Sequence, residues 1–419
     1  MPGNWPRNVE NFNDFKELGL TMGVQNPFGK YNGNEADYVL RALDSEDPEN
    51  KSSPWVQRFE EAFAAKVGAK YAIAVNSGTS GLHAALFAAD IRPGDEVIQP
   101  AMTVVMDAYA TIHLGGIPVF ADIDPATQTI DPQDIERKIT PRTKAILTVS
   151  WQGLPVDMDP IMRIAAKHDL LVIDDSAQTM MGRCKGAISG ANAHIGVFSF
   201  EQKKHLTTGS EGGMIVSSDE TLAVRARKFA GLGYKHMTAT AGRTHLALST
   251  VQDPDYERFD TVGLNYRMNT ISAAVGLAQL ERVDHIVARR QACARVFREA
   301  IANCGWMVPQ VVPPGIEHTY YTFAVDYRGL AARGVKWKEF YDRYMGMGGD
   351  GFYGCVAIPY LEPALRGKRL GDTVLGPGLC PKAEELQKRI MQFKTNYRDL
   401  GVAQKKAELL SNLIDEIGR

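Results

Sequence analysis

Long apolar runs are missing from this 419-residue chain. No stretch reaches the roughly 18 consecutive apolar residues of a membrane span, so no membrane partner is expected. The opening residues, MPGNWPRNVENFNDF, carry Pro, Asn and acids where a secretory signal needs an apolar run. Cysteine is scarce: Cys184, Cys293, Cys304, Cys355 and Cys380, with no C-x-x-C pair. An odd, scattered set fits a reducing compartment better than a disulfide framework or a structural zinc site. A cytoplasmic protein without a bound metal is expected. Charge of one sign is absent too, because 47 Lys and Arg face 49 Asp and Glu for a net charge of −2. That balance offers neither nucleic acid nor an anionic membrane an electrostatic foothold. There is no internal repeat and no low-complexity tail.

The content is that of a globular protein, 44% apolar and 23% charged, and the length suits two joined domains. Residues 1–34 read as an irregular lead-in and 44–54 as a loop rich in acids, Ser and Pro. Helical spacing marks Glu35–Leu43 and Trp55–Val67. From there short apolar runs (71–75, 96–99, 118–122, 144–149, 170–173 and 194–198) alternate with helical stretches (79–89, 106–113, 132–138 and 161–167). That alternation predicts parallel crossover units in an α/β domain. The pattern changes after about residue 215. A helical piece at 221–229 leads into a polar stretch at 232–262. One long helix is expected over 270–301, a strand over 318–327 and an amphipathic helix over 403–417. The division expected is a large α/β domain, 1–262, and a smaller α+β domain, 263–419.

Three blocks fall at the carboxyl ends of predicted strands, where open α/β sheets bind ligands. The first is Asn76-Ser77-Gly78-Thr79-Ser80-Gly81. Its small residues and the free N–H groups of the following helix suit a phosphate, although a plain capped turn has the same composition. The second is Asp174-Asp175-Ser176-Ala177-Gln178, closing an apolar strand. An acid there needs a cation or donor to offset its desolvation, unless it merely caps the next helix. A protonated pyridine nitrogen would meet that need. The third runs from Ser199 through Lys203-Lys204-His205 to Glu211-Gly212-Gly213. A buried amine in such a loop can act as a nucleophile, whereas a Lys-Lys pair is more often a solvated surface feature.

In their order and spacing these blocks, with WVQRFEEAFAAKVGAKYAIAVNSGTSGLHAAL, PGDEVIQPAMT, GGIPVFADIDP and GLNYRMNTISAAVGLAQL, resemble the DegT/DnrJ/EryC1/StrS aminotransferases. The resemblance runs from about residue 35 to about 300. It implies the aspartate aminotransferase-like fold type I, a mixed but mostly parallel sheet, and pyridoxal 5'-phosphate as cofactor. It implies Lys204 as the Schiff-base lysine and Asp175 as partner of the pyridine nitrogen. Gln178 then lies near the phenolic oxygen, and Thr79, Ser80 and Ser199 lie around the phosphate. Asn265 is implied to reach the phosphate site of a neighbouring subunit, hence a homodimer with shared sites. The reaction implied is a ping-pong transfer of an amino group from L-glutamate to a keto sugar, most often nucleotide-linked. A keto-cyclitol acceptor, a related sugar dehydratase and a non-catalytic pyridoxal phosphate-binding regulator are the alternatives. The missing DNA-binding appendage speaks against the last.

The chain also departs from the family's pattern. Val104 stands where an aromatic usually covers the cofactor ring, and Ser150-Trp151 replace a usual His-Leu. Ser210 is an extra residue. Counting forward from Ser199-Phe200 reaches Lys204, whereas counting back from Glu211-Gly212-Gly213 reaches His205, and the dehydratase branch carries His at that position. The intact strand-end block favours Lys204, with Lys203 behind it. Gly346-Met347-Gly348-Gly349-Asp350-Gly351 spells G-x-G-x-x-G outside any strand–helix unit, so a pocket-side or plain surface loop is expected. His83 reads as a core histidine. His318, Tyr320 and Tyr321 read as packing or as substrate-facing.

Overall fold

The structure is a computed structural model that describes residues 29–44, 55–241, 246–352 and 358–419. The expected lead-in up to residue 28, most of the loop at 44–54, and Cys355 lie outside the described residues. Runs of β-branched and small apolar residues form β1 (Tyr71–Val75), β2 (Glu96–Pro100), β3 (Ile117–Ala121), β4 (Thr143–Val149) and β5 (Leu171–Asp175). Two short strands, β6 (Arg183–Cys184) and β7 (Ala187–Ile188), precede β8 (Ile195–Ser199) and β9 (Gly213–Ser217). Seven of these make one sheet in the order β1-β9-β8-β5-β4-β2-β3. β9 runs against both its neighbours, and the other pairs are parallel. This is the α/β architecture with a mostly parallel sheet that fold type I implies.

β9 was not foreseen as a strand. Its residues are all buried, yet no helical pattern separates it from β8. A loop, not a crossover helix, joins the two, and that connection makes the pair antiparallel. The loop carries Lys204.

Apolar helices sandwich the sheet. Gly78–Ala88 lies on one side, in a core with Phe120, Val197 and Ile215. Trp55–Val67 lies on the other, where Phe63 meets Phe198 and Phe200 edge-on and Phe59 meets Phe200 at a tilt. A second sheet, antiparallel, joins Met307–Pro309, Thr322–Tyr327 and Ile390–Lys394. It shares a core with Phe297 and with Leu410 and Leu413 of the helix Leu400–Ile417. Packing crosses the 262/263 boundary expected from sequence. Helix Thr270–Leu280 shares its core with Phe59 and Phe63, and residues such as Tyr360 and Leu386 return to the core around Phe120.

Two expectations are corrected. The long helix over 270–301 is two helices, Thr270–Leu280 and Val283–Ala300. The first is buried from Ala273 to Leu280 and the second is amphipathic, so their different burial demands different directions. The turn is made at Glu281-Arg282 without Gly or Pro, and Arg282 is held there by Glu35. The strand over 318–327 begins only at Thr322. Tyr320 sits at φ 49°, a left-handed conformation that ends a strand.

Candidate active site

The registers of β1, β9, β8, β5 and β4 bring five chain segments to one edge of the sheet. Val75 and Ser199 both pair with Gly213, while Asp175 pairs with Val149 and Val197. The Ser77 turn, the Asp175 strand end and the Lys204 loop therefore meet at the carboxyl ends of the parallel strands.

The turn after β1 is a capping box. Ser77 Oγ accepts from the Ser80 N–H at 3.1 Å, and Ser80 Oγ accepts from the Ser77 N–H at 3.1 Å. Ser80 is buried and also donates to Asn76 Oδ1 at 2.7 Å, so its hydroxyl is already engaged. Thr79 is exposed. A Cβ on Gly78 would lie 2.8 Å from Cβ of Ser199. Only glycine lets the helix start this close to Ser199, which is how two distant segments reach one spot. Helix start and hydroxyls together form a cradle suited to a phosphate.

The strand's period of two separates the adjacent acids. Asp174 is saturated: hydroxyls of Thr148, Ser150, Ser176 and Ser189 reach it at 2.8, 3.1, 2.6 and 2.9 Å. The unusual Ser150 thus supports Asp174, and Trp151 beside it is core. Asp175, also buried, accepts from the Ala177 N–H at 2.9 Å. Burial raises its carboxyl to about 6, and the Ala177 hydrogen bond and the Lys204 charge hold it from going higher. A buried acid with spare acceptor capacity is what a protonated ring nitrogen requires.

The Lys204 amine is desolvated, and burial lowers its pKa from the usual lysine value against the pull of Asp175 and Glu201. The Nζ lies 4.7 Å from the centre of the Tyr321 ring. Arg290 donates to the carbonyls of Lys203 and Lys204 at 2.8 and 3.3 Å, holding this loop. His205, next in sequence, turns elsewhere: its Nε2 lies 3.1 Å from the Thr319 carbonyl, and burial keeps its ring well below the usual histidine pKa. Lys203 is exposed.

Gln178 is buried, and its Oε1 accepts from the Gln152 N–H at 2.9 Å. Among the described residues its Nε2 has no partner. Val104, half-buried, precedes the helix Val105–His113 without capping it. Asn265 is exposed and accepts from Arg267 at 3.0 Å. The carbonyl of its chain neighbour Tyr266 accepts from the Asn76 N–H at 2.7 Å, and Val262 and Leu264 nearby in sequence are exposed. His83 lies 3.0 Å from the Tyr266 hydroxyl, as a packed histidine would. His318 is stacked on Tyr320 and bonded to Gln310. The glycine-rich loop packs through Asp350, which accepts from the Tyr397 hydroxyl at 2.7 Å.

Sequence reasoning passed over Asp107 and Arg290 and left Tyr321 between two roles. Asp107 is fully buried in the first turn of Val105–His113, with Thr103 Oγ1 donating to its Oδ2. Its position three residues past Val104 was a signal, since one helical turn puts both on one face. Arg290 gave none, being one of many arginines on an amphipathic helix. Beside the lysine loop opens a cavity of about 440 Å³ lined by Lys30, Lys203, Arg282, Arg289, Arg290 and Arg398, among others. Such a lining favours an anion.

A family model, the DegT/DnrJ/EryC1/StrS aminotransferase family, matches residues 30–369. The GDP-perosamine synthase of Caulobacter vibrioides is 40% identical over 299 residues, 71% of this chain and 75% of that protein. Among solved structures, an aminotransferase from Psychrobacter cryohalolentis matches with a TM-score of 0.78 at 30% identity, covering 91% of this chain and 96% of that one. DesV of S. venezuelae, solved with a ketimine intermediate, matches with a TM-score of 0.78 at 26% identity, covering 97% of each chain.

Proposed function

The chain belongs to the DegT/DnrJ/EryC1/StrS aminotransferase family and is a pyridoxal phosphate-dependent aminotransferase, and from that premise we propose that it moves an amino group from L-glutamate to a nucleotide-linked keto sugar. The observation that carries this reading is the meeting of a buried amine and a buried acid, Lys204 and Asp175, beside the Ser77–Ser80 turn. The cationic cavity next to Lys204 supports an acceptor that bears phosphates. A GDP-linked keto sugar is the first to try, because the Caulobacter relative is a GDP-perosamine synthase.

The residues fit the cofactor. Gly78 and Ser199 bring a helix start and a hydroxyl together, Asp175 has spare acceptor capacity, and burial lowers the pKa of the Lys204 amine. We assign Thr79, Ser80 and Ser199 to the phosphate, with Ser80 acting through the cap it completes. Gln178 offers its amide to the phenolic oxygen and Asp175 its carboxylate to the ring nitrogen. When bound, pyridoxal phosphate supplies a carbonyl that takes the amino group and a ring that withdraws electrons from the bond being broken. Lys204 would hold it covalently through its side-chain amine. The Lys204 amine, its pKa lowered by burial, would carry a proton between the substrate carbon and the cofactor carbon on the other side of the shared nitrogen. A donor that leaves before the acceptor binds would give ping-pong kinetics. Asn265 is the residue we assign to a partner subunit's phosphate site in a homodimer, and its exposure beside Val262 and Leu264 supports that role.

Borohydride reduction followed by peptide mass spectrometry is expected to place a phosphopyridoxyl group on Lys204. Finding it on Lys203, or none in a fully loaded enzyme, overturns the assignment. Incubation with glutamate and a GDP-linked keto sugar is expected to give 2-oxoglutarate and an amino sugar. A deoxy sugar would instead show a dehydratase, and no turnover with any ketone a binding protein.

A further inference from the structure

Asp107 is a fully buried carboxyl group that the roles assigned so far do not use. Its Oδ2 accepts a hydrogen bond from Thr103 Oγ1. Its Oδ1 is buried and, among the described residues, has no hydrogen-bond partner. The Asp107 side chain lies within hydrogen-bond reach of the carboxyl group of Asp175. Two buried carboxylates in contact repel each other and cannot both ionise cheaply. A position in the first turn of a helix favours a charged acid only weakly, and full desolvation outweighs that gain. Burial, then Asp175, push Asp107 well above the usual carboxylate range. The other ionisable groups acting on the pair are Asp174 and Lys204.

The position of the proton follows from Thr103. That hydroxyl donates to Oδ2, which makes Oδ2 the carbonyl-like oxygen and leaves Oδ1 as the oxygen to carry the proton.

We propose that Asp107 is a positioning residue of this enzyme: it stays protonated and donates from Oδ1 to the Asp175 carboxylate. The bond fixes the rotamer of Asp175. It stabilises the charged form of Asp175, which strengthens its hold on a protonated ring nitrogen. The inference rests on the reading of Asp175 as the partner of that nitrogen.

The test compares holoenzymes of wild type, Asp107→Asn, Asp107→Leu and Asp175→Asn. Asparagine keeps a donor toward Asp175 and an acceptor for Thr103, whereas leucine keeps the size alone. In infrared difference spectra at neutral pH, wild type minus Asp107→Asn should show the carbonyl stretch of a protonated carboxylic acid. With ¹⁵N-labelled cofactor, the ring nitrogen should stay protonated in Asp107→Asn and lose its proton at lower pH in Asp107→Leu. The same leucine variant should lose at least about tenfold in kcat with little change in KM, the value of one hydrogen bond to a charged group. Absence of the infrared band overturns the proposal. So does an unchanged nitrogen titration in Asp107→Leu while Asp175→Asn alters it. An unchanged titration in Asp175→Asn overturns the underlying Asp175 assignment instead.

Discussion

Replacing Asp175 by Asn should stabilise the cofactor-free protein while disabling the enzyme. Burial of Asp175 raises its carboxyl from 3.8 to about 6. A folded-state value above the unfolded one means that the folded chain binds its proton more tightly. The stability this contributes is complete below about pH 4 and is lost as the pH rises through about 6. The shift of about two pH units corresponds to roughly 3 kcal/mol at neutral pH, at 1.36 kcal/mol per unit. Asparagine has the shape of the acid without its charge. Urea unfolding midpoints of wild type and Asp175→Asn, without cofactor, should coincide near about pH 4 and separate by up to about 3 kcal/mol near about pH 8, the variant being the more stable. The same variant should lose most of its transamination, because an amide cannot counter a ring cation. Curves that stay parallel across this range would refute the claim that Asp175 is a strained, desolvated acid. So would a wild type that gains stability over the variant as the pH rises. The cofactor supplies the missing charge, so its addition should reverse the order of stabilities.

Gly78→Ala forces a Cβ to within 2.8 Å of Ser199 Cβ. It should cost about 1–3 kcal/mol in thermal or urea unfolding and weaken cofactor binding more than substrate binding, as measured by cofactor titration. Glu60 and Arg227 form a buried pair at 2.9 Å that ties the helices Trp55–Val67 and Glu220–Ala230 to β1 through the Ala74 N–H and the Ala72 carbonyl. Arg227→Met should destabilise by about 3–5 kcal/mol by stranding Glu60, whereas the double variant with Glu60→Leu should recover much of it. Tyr321→Leu removes the ring face 4.7 Å from Lys204 Nζ. It should lower the lysine pKa further, seen as a shift of the acidic limb of the second half-reaction to lower pH, while Tyr321→Phe leaves it in place. Arg398→Ala should raise KM for the nucleotide-linked acceptor without changing KM for glutamate, since Arg398 lines the cationic cavity.

Much of the large sheet was written locally. Strands β1 to β5 and β8 are short apolar runs between capped helices, so their period and punctuation carry them within a residue or two. The blocks around Ser77, Asp175 and Ser199 were legible because strand ends are where the α/β fold places ligands, and composition marks them. What tertiary structure alone decided is contact. β9 is a strand because β1 and β8 leave a slot between them. Helix 270–301 breaks because its two halves are buried differently, a demand that helical propensity does not express. Asp174 and Asp175 are neighbours in sequence with opposite lives, one saturated by four hydroxyls and the other left open toward Lys204. Asp107 lies 68 positions before Asp175 in the chain, and their meeting depends on parallel registers that no local pattern encodes. Residue types announced a buried amine and an acid. The resemblance named Lys204 and Asp175, and only the packing set the desolvation and the hydrogen-bond partners of each.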